Sequence, residues 1–328
     1  MIISRTPLRV SFFGGGSDLP SYYRRRGGAV LSTAIDKSVY VTVTRKFDDG
    51  VRVSYSRTEE VAHASQVEHP LVRESLAMLG IDGGIEITSV ADIPAKGTGL
   101  GSSSSFTVGL LNALHAFRGR LVSASALARE SCQIEIDRCG EPIGKQDQYA
   151  AAHGGLNFIR FHPDDSVEVR KIDCAPKLLA DLQSRMLYFY TGLTRSASAL
   201  LKHQSESVAA PGAQTDATDR LVRLAETAYE ELSTGRIDSF GPMLHEAWQS
   251  KRQITVGITN PMIDEAYDAA IAAGAEGGKI LGAGGGGFLM FYAPPEKHAA
   301  IRGALAHLRE TPFAMAPEGS SIIFVHER

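Results

Sequence analysis

Several features that mark other protein classes are scarce in this chain of 328 residues. The three cysteines, Cys132, Cys139 and Cys174, are odd in number and lack metal-ligand spacing, which argues against a disulfide framework and for a reducing compartment. No apolar run approaches the about 18 residues of a membrane span, and Arg5 and Arg9 stand where a signal peptide needs an apolar core. The net charge of −3 gives no basic surface for nucleic acid or for an acidic membrane. We therefore expect a cytoplasmic protein with neither a nucleic-acid nor a membrane partner.

Strand-like and helix-like patterns occur in both halves of the chain, which predicts an α+β fold. Residues 2–13 alternate in the manner of a strand that is buried on one face only. Two β-rich runs, 39–44 and 51–55, flank Asp48-Asp49-Gly50, and this pattern predicts a hairpin. A helix is expected over residues 125–139.

The chain is long enough for one large domain or two modest ones. Its composition, 43% apolar and 22% charged, is ordinary for a globular protein. We place a soft boundary near residue 180, which gives domains 1–180 and 181–328.

The most informative segment is Pro94-Ala-Lys-Gly-Thr-Gly-Leu-Gly-Ser-Ser-Ser-Ser105. It lies between a strand-like run over residues 85–90 and a helical pattern that begins near Ser103. Its three glycines permit positive φ values and let backbone amides approach one point closely. The serines then open a helix, where free amides and the positive end of the dipole favour an anion. The segment therefore predicts a phosphate-binding loop.

Other nucleotide-binding signatures fit poorly. A Walker A loop needs Ser or Thr after its lysine, but Gly278-Lys279 is followed by Ile280. The signatures of protein kinases are missing. Gly282-Ala-Gly-Gly-Gly-Gly287 spells a dinucleotide fingerprint, yet it leads into a strand and not into a helix. After the 94–105 loop, no acidic residue that could hold a ribose occurs before Glu130.

Three segments together resemble the GHMP kinases, the family of galacto-, homoserine, mevalonate and phosphomevalonate kinases. Residues 94–103 match the family's nucleotide loop, residues 7–18 its N-terminal substrate motif, and residues 281–287 its C-terminal glycine motif. The resemblance implies two α+β lobes, a ribosomal protein S5 domain 2-like N-terminal lobe and a ferredoxin-like C-terminal lobe, with the active site between them. It also implies ATP and Mg²⁺ as co-substrates.

The resemblance assigns roles to the reacting groups. Asp147 resembles the family's catalytic aspartate, which would take the proton of the acceptor hydroxyl as phosphate transfers. Arg9 matches the arginine that stabilises the transferring phosphoryl group in the galactokinase-like branch. Ser104 and Ser105 also suit simple capping of the helix. The triphosphate would contact one set of loop residues: Lys96, Gly97, Gly99, Leu100, Gly101, Ser102, Ser103 and Ser104.

The resemblance also implies a metal site, because phosphoryl transfer depends on charge neutralisation. Mg²⁺ would be held by the hydroxyl of Ser102 or Ser103 and by Glu135, which precedes the catalytic aspartate by about the family's distance. Two neighbouring carboxylates compete with Glu135 for this role: Asp137 and Glu141.

Further segments along most of the chain look like the D-glycero-D-manno-heptose 7-phosphate kinases, which phosphorylate the anomeric hydroxyl to give a 1,7-bisphosphate. They include residues 27–37, 145–148, 191–195 and 244–248. The implied partner is a small phosphosugar, and the oligomeric state stays open, with a homodimer as one option. The acceptor is expected to contact one set of residues: Gly15, Gly16, Ser17, Asp18, Lys145, Arg195, Gly284 and Gly285.

A phosphorylated acceptor also needs a cationic subsite. The candidates are Arg24-Arg25-Arg26, Lys37, Lys145 and Arg195. A run such as Arg24–Arg26 is commonly a solvated face, whereas Lys145 and Arg195 lie inside the branch motifs. No sequence argument separates these two.

Two alternatives remain open. One is a galactokinase- or fucokinase-like enzyme of an unphosphorylated sugar, although Gly14-Gly15-Gly16 replaces a galactokinase stretch that carries Glu and His and so disfavours free galactose. The other is a sugar and nucleotide sensor without catalytic activity on the same fold. Retention of Glu135, Asp147 and the serine loop argues against the sensor.

Overall fold

The computed structural model describes residues 1–94, 97–193 and 197–326. The predicted α+β class is confirmed, since strands and helices mix along the chain. The strands are β1 Ile2–Phe13, β2 Gly28–Arg45, β3 Val51–Ser54, β4 Thr58–Val61, β5 Ile85–Ala91, β6 Leu156–Phe161, β7 Val167–Lys171, β8 Met186–Tyr190, β9 Gly277–Ile280, β10 Phe288–Tyr292, β11 Arg309–Glu310 and β12 Ser321–Val325. The α-helices are α1 Pro20–Arg26, α2 Pro70–Leu79, α3 Ser102–Phe117, α4 Ala124–Cys132, α5 Gln146–His153, α6 Pro176–Ser184, α7 Ala197–Ser207, α8 Ala213–Ser233, α9 Phe240–Lys251, α10 Pro261–Ala272 and α11 His298–Ala304. None of the described helices combines the length and apolarity needed to cross a membrane.

β2 is the spine of the larger sheet. It pairs with β1 along most of its length, with β6 through residues 28–33 and with β5 through residues 39–45. The strand order is β12-β1-β2-β5-β3-β4, and β7 extends the sheet beyond β6. One long strand thus holds two different partners along its second edge.

The predicted hairpin at Asp48-Asp49-Gly50 is wrong. β5 lies between β2 and β3, pairing antiparallel with β2 and parallel with β3. A turn signal reports only a local reversal of the chain, whereas the partner of a strand is set by which apolar faces can be buried together. Ile85 and Ile87 of β5 are both buried in the core, so β5 takes the central position.

β1 is buried more completely than its sequence pattern predicts. From Thr6 to Phe13 every residue is buried, so both faces of the strand are covered. The cover comes from later parts of the chain, since α3, α8 and α9 all contact β1. The polar residues of β1 are therefore held inside the molecule.

The smaller sheet has the order β11-β8-β10-β9 and is antiparallel throughout. The chain then returns to the larger sheet, where β12 pairs with β1 in the register Ile2 with Val325. A single boundary near residue 180 therefore does not separate the two sheets, because residues 181–328 include an edge strand of the first one.

α3 packs closely on β1 in the middle of the helix. The Ser4 hydroxyl donates a hydrogen bond to the Gly109 carbonyl at 2.7 Å. A Cβ atom at Gly109 would lie 2.7 Å from Thr6 Oγ1 and 3.3 Å from Ser4 Oγ, so no larger side chain fits without movement. The glycine lets the helix rest directly on the strand.

We expect Gly109→Leu to lower the free energy of unfolding by about 1–3 kcal/mol, because overpacking pushes α3 off β1. Gly303→Leu in the exposed helix α11 is the matched control, since nothing lies within 4 Å of a Cβ there. Leucine is the better helix former, so the control should gain about 0.5–1 kcal/mol. Urea unfolding measures both variants. An equal increase in the free energy of unfolding for Gly109→Leu and Gly303→Leu would contradict the close packing at Gly109.

Candidate active site

A cleft of about 710 Å³ lies where the starts of α3 and α5 approach β1. Its lining includes Arg9 of β1, Ser102 of α3, Asp147 of α5 and Lys251 of α9. Residues from both halves of the chain therefore face one space.

The predicted phosphate loop forms one wall of this cleft. Gly97, Gly99 and Gly101 have φ values of 72°, 77° and 75°, in the left-handed region that favours glycine. α3 begins at Ser102, directly after this loop, and the first amides of a helix have no acceptor within it. The wall thus combines free amides with the positive end of a helix dipole. Its role in holding phosphate stays a prediction.

The phosphate loop touches the second glycine loop backbone to backbone. A Cβ atom on Gly282 would lie 2.5 Å from the Cα of Gly99, and one on Gly287 would lie 2.4 Å from the Thr98 carbonyl oxygen. Both Gly282 and Gly287 also have positive φ values, so a side chain at either position would meet a steric clash and would strain the backbone. This contact brings the loop after β9 into the cleft wall.

Gly284 and Gly285, which were predicted to bind the acceptor, pack against another segment. The Gly285 N–H donates to the Ile258 carbonyl at 2.8 Å, and a Cβ atom on Gly284 would lie 2.7 Å from that same oxygen. It is Gly282 and Ala283 that line the cleft.

Arg9 and Asp147 form a bidentate ion pair at the centre of the cleft. Arg9 Nε donates to Asp147 Oδ1 and Arg9 Nη2 to Asp147 Oδ2, both at 2.7 Å. Arg9 also reaches the phosphate loop, donating from Nη1 to the Gly99 carbonyl at 2.6 Å and from its backbone N–H to the Leu100 carbonyl at 3.0 Å. The register of β1 with β2 shifts on both sides of Arg9, and such irregularities commonly redirect a side chain beside an active site.

Asp18 lies beside the start of α5, near Asp147. Its carboxylate accepts hydrogen bonds from the Gly16 N–H at 3.0 Å and from the Gln146 N–H at 3.1 Å. Burial raises the pKa of Asp18, and the charge of Asp147 raises it further. A Cβ atom at Gly144 would lie 1.9 Å from Asp18 Oδ2, so this glycine leaves the room that the carboxylate needs.

Polar atoms without partners gather beside Asp18. Among the described residues, Ser11 Oγ, Gln146 Oε1 and Gln204 Nε2 are buried and lack a hydrogen-bond partner. All three residues line the cleft. A Cβ atom on Gly16 would lie 2.0 Å from Gln204 Nε2, so Gly16 makes room for this side chain of α7. Buried polar groups are normally paired, so these atoms suit a ligand that carries several hydroxyl groups.

Ser17 and Lys145 make contacts away from the cleft lining. The Ser17 hydroxyl donates to the Ala29 carbonyl at 3.0 Å and accepts from the Ala29 N–H at 3.1 Å, so it serves the fold. The Lys145 ammonium donates to Asp165 Oδ1 at 3.2 Å and lies 4.8 Å from the centre of the Tyr23 ring.

Two predicted site residues, Lys96 and Arg195, lie outside the described residues. The remaining candidates for a cationic subsite are engaged locally. Arg24 pairs with Asp165, Arg26 with Asp219 and Lys37 with Asp36, as surface ion pairs do.

Glu135 points inward because its helix changes pitch. The helix predicted over 125–139 is confirmed, and it changes type along its length: α4 ends at Cys132 and residues 133–138 form a π-helical turn. Within this turn the Cys139 N–H donates to the Ile134 carbonyl, five residues earlier. Ile134 and Glu135 are therefore buried side by side, which an amphipathic α-helical pattern does not predict.

The Glu135 carboxylate lies beside the start of α3. It accepts hydrogen bonds from Ser103 Oγ at 3.1 Å and from Gln148 Nε2 at 2.5 Å. Burial raises the pKa of Glu135 to about 7, although hydrogen bonds from serine and glutamine side chains oppose the shift. A buried carboxylate without a cation beside it is costly, so the site favours a positive charge.

Glu135 and the serine hydroxyls at the start of α3 fit a magnesium ion of the kind that phosphoryl-transfer sites use. No group of three or more His, Cys, Asp or Glu side chains with metal-binding geometry occurs in residues 1–94, 97–193 and 197–326. Mg²⁺ in such sites takes one or two carboxylates and completes its shell with substrate phosphates and water. Glu135 and the hydroxyl of Ser103 or Ser102 supply that smaller set, next to the phosphate loop.

Two lysines in the cleft were missed by the sequence analysis. Lys279 of β9 and Lys251 of α9 are each 4% exposed and both line the cleft. Burial lowers the pKa of Lys279 well below its ordinary value, and the charges of Lys251 and Arg9 lower it further. The sequence carries a signal that Lys279 is buried, because Lys279 is the one charged residue in an otherwise apolar four-residue strand. Lys251 has a comparable signal, because it follows Leu244 and Trp248 at helical spacing on the buried face of α9.

Comparison with known proteins gives a family for both halves of the chain. The family described as GHMP kinases N terminal domain matches residues 62–155, and GHMP kinases C terminal matches residues 228–308.

Individual relatives align over most of the chain. A D-glycero-alpha-D-manno-heptose 7-phosphate kinase of Campylobacter jejuni is 28% identical over 317 residues, 90% of each chain. A bifunctional fucokinase/GDP-fucose pyrophosphorylase of Arabidopsis thaliana is 26% identical over 89% of this chain and 30% of its own length. The crystal structure of a D-glycero-D-manno-heptose 1-phosphate kinase from Bacteroides thetaiotaomicron superposes with a TM-score of 0.81 and 25% identity over the whole of both chains.

We expect Lys279→Met to lower the free energy of unfolding by about 1–3 kcal/mol, because two buried carbonyls lose their donor. The Lys279 ammonium donates to the carbonyls of Ser11 and Phe12 at 2.8 and 3.0 Å, where the register of β1 is interrupted. Chemical denaturation measures the change, with the exposed Lys177→Met as the control. A more stable Lys279→Met protein would show that the cost of burying the ammonium exceeds the value of its hydrogen bonds.

Proposed function

Because this chain belongs to the GHMP kinases, we propose that it transfers the γ-phosphoryl group of ATP to the anomeric hydroxyl of D-glycero-D-manno-heptose 7-phosphate. The product would be the 1,7-bisphosphate. A phosphotransferase that acts on a sugar hydroxyl is what the family and its relatives indicate. The identity of the acceptor is the proposal.

One observation carries the proposal. The Arg9–Asp147 ion pair contacts the phosphate loop, and the unpartnered polar atoms beside Asp18 line the same cleft, next to the residue that precedes Asp147. A phosphate donor bound to the loop and a polyhydroxylated acceptor bound beside Asp18 would therefore meet at Asp147. Such juxtaposition supplies much of the rate enhancement in phosphoryl transfer.

The chemistry follows from this arrangement. Asp147 accepts the proton of the acceptor hydroxyl as that oxygen forms its bond to the γ-phosphorus, while the bond from phosphorus to the bridging oxygen breaks and ADP leaves with the electron pair. Each carboxylate oxygen keeps a free lone pair beyond its bond from Arg9, so the pairing does not block this role. Arg9 holds the carboxylate in place and brings positive charge to the site of transfer.

Glu135 and the Ser103 or Ser102 hydroxyl would hold Mg²⁺ on the donor side of the cleft. The ion would neutralise charge on the donor phosphates. The chain's own contribution is to keep the Glu135 carboxylate buried and oriented by Gln148.

Two relatives support a heptose phosphate as acceptor, although their names differ in the position of the phosphate. Loss of side chains at Gly15 and Gly16 leaves space in which Gln204 and Gln146 approach the acceptor side of the cleft. Arg195, from a segment that resembles the same branch, remains our candidate for the acceptor's phosphate. All three cysteines are free, in line with the reducing cytoplasm that we propose as the location.

The direct test offers ATP and Mg²⁺ with heptose 7-phosphate, heptose 1-phosphate, free heptose, fucose, galactose and mannose, and follows ADP release. We expect the highest kcat/KM with heptose 7-phosphate. In the same assay Asp147→Asn should lower kcat by about 10²–10⁴-fold, because the base is lost while nucleotide binding stays. Asp268→Asn, on an exposed position of α10, is the control.

Turnover on free sugars alone would contradict the phosphosugar proposal and favour a fucokinase-like enzyme. Nucleotide binding without turnover on any sugar would favour the sensor. Unchanged turnover in Asp147→Asn would remove Asp147 from its proposed role.

We expect Glu135→Gln to raise the Mg²⁺ concentration for half-maximal activity by at least about tenfold, since the neutral amide is a poor ligand for a hard cation. Glu141→Gln is the comparison, because Glu141 lines the cleft and its carboxylate accepts from Ser198 Oγ at 2.7 Å. Activity is titrated with Mg²⁺ at saturating ATP. A larger shift in Glu141→Gln would reassign the metal site to Glu141.

A further inference from the structure

Lys251 is a buried cation whose hydrogen-bonding capacity the protein leaves mostly unused. It ends α9, in the part of the chain that carries the smaller sheet, and its ammonium donates to the Gly282 carbonyl. An ammonium has three N–H groups, and in the part of the chain that the structure describes the other two have no acceptor. The residue lines the cleft, so these donors are available to a ligand.

The other two cations of the cleft are already engaged. Lys279 donates to two backbone carbonyls at the end of β1. Arg9 uses three of its nitrogen atoms on Asp147 and the Gly99 carbonyl. Counted against three N–H groups on each lysine and five on Arg9, Lys251 has the largest share of unused donors among the cations in the described cleft lining.

Lys251 reaches the cleft on the side where the two glycine loops meet. Its acceptor, Gly282, lies against Gly99 of the phosphate loop, and the Gly99 carbonyl accepts in turn from Arg9. This chain of contacts ties Lys251 to the junction of the phosphate loop and the Arg9–Asp147 pair. Lys251 is therefore close to the residues at which we propose that transfer occurs.

The charges around Lys251 also call for an anion. The pKa of Lys251 is lowered to about 8, mainly by burial and then by the charge of Arg9, while the charges of Asp18 and Asp147 oppose the shift. Arg9 has Asp147 as its ion-pair partner, whereas no carboxylate of the described residues lies within salt-bridge distance of Lys251. A buried ammonium in that position is costly unless an anion joins it. A phosphoryl group supplies that charge.

We propose that Lys251 binds the phosphoryl group during its transfer, as a second cation beside Arg9. The inference rests on the proposed kinase function and adds to it a residue that no sequence motif identified. A cation that meets the equatorial oxygens of the phosphoryl group stabilises the transition state more than either bound substrate. The acceptor's own phosphate is the competing anion, and the experiment below separates the two.

The test compares Lys251→Met with Lys177→Met, which removes an exposed lysine of α6, using heptose 7-phosphate and free heptose as acceptors. We expect Lys251→Met to lower kcat by about 10²–10³-fold with both acceptors, as loss of one transition-state donor does. KM for ATP and for each acceptor should change by less than about threefold. Lys177→Met should match the wild type.

The alkaline limb of the pH profile of kcat/KM gives a second readout. A lysine with a purely structural role would not affect this limb. The groups that face Lys251 are Arg9 of β1, Asp18 after β1, Asp147 of α5 and Lys279 of β9. Because the ammonium is the active form, kcat/KM of the wild type should fall as the pH rises through about 8. Lys251→Arg stays charged over this range, so it should retain activity and lose that limb.

Several outcomes overturn the inference. A rise in KM confined to heptose 7-phosphate would assign Lys251 to the acceptor's phosphate, and a rise confined to ATP would assign it to ground-state binding of the nucleotide. If Lys251→Met and Lys177→Met have the same kinetics, Lys251 has no role in the reaction. If Lys251→Met does not fold, an unchanged alkaline limb in Lys251→Arg overturns the inference. Absence of wild-type turnover on every sugar would instead overturn the proposed function, and this inference with it.

Discussion

The ion pair between Arg9 and Asp147 is the interaction on which the rest of the cleft depends. Arg9 joins three elements, because it extends from β1, pairs with the first turn of α5 and donates to the phosphate loop at Gly99. Its side chain is 4% exposed, so removal of the Asp147 charge would leave the Arg9 guanidinium buried without its partner, which typically costs about 3–5 kcal/mol. The irregular register of β1 aims Arg9 at this point, and full burial of β1 holds it there.

Glycine determines how closely the surrounding loops can approach the pair. Gly99 and Gly282 have positive φ values and touch through their backbones, so a side chain at either position would separate the two loops. Gly101 lets Asp147 and Arg9 lie beside the phosphate loop, since a Cβ atom there would be 3.2 Å from Asp147 Oδ2. Residues far apart in sequence are thus joined by backbone contact, which keeps the geometry independent of side-chain rotamers. Such rigidity suits a reaction whose rate depends mainly on positioning.

Carboxylates and basic side chains both line the cleft. Glu135, Asp18 and Asp147 supply the carboxylates, and Arg9, Lys251 and Lys279 supply the cations. The carboxylates were predicted because each lies in or near a segment that resembles a family motif. The lysines were missed because a single lysine in a helix or strand is normally solvated, and only packing of α9 and β9 against β1 buries these two. Lys145 shows the converse, since its motif predicts a ligand contact while its ammonium pairs with Asp165.

The sequence by itself determined the family and the α+β class, and it singled out Arg9, Asp147 and the segment over 94–105, because each of these depends on residue types at fixed spacing within a short segment. It predicted the start of α3 near Ser103, where the glycine loop ends. It was wrong at the hairpin after β2, where a distant strand takes the neighbouring position, and it did not show that the helix over 125–139 becomes a π-helical turn in its second half. Only the tertiary structure decided which cations face the cleft, which polar atoms are left for a ligand and which edge β12 joins. These features arise from contacts between segments remote in sequence, and burial, which sets their energies, is a property of the folded chain and of no segment alone.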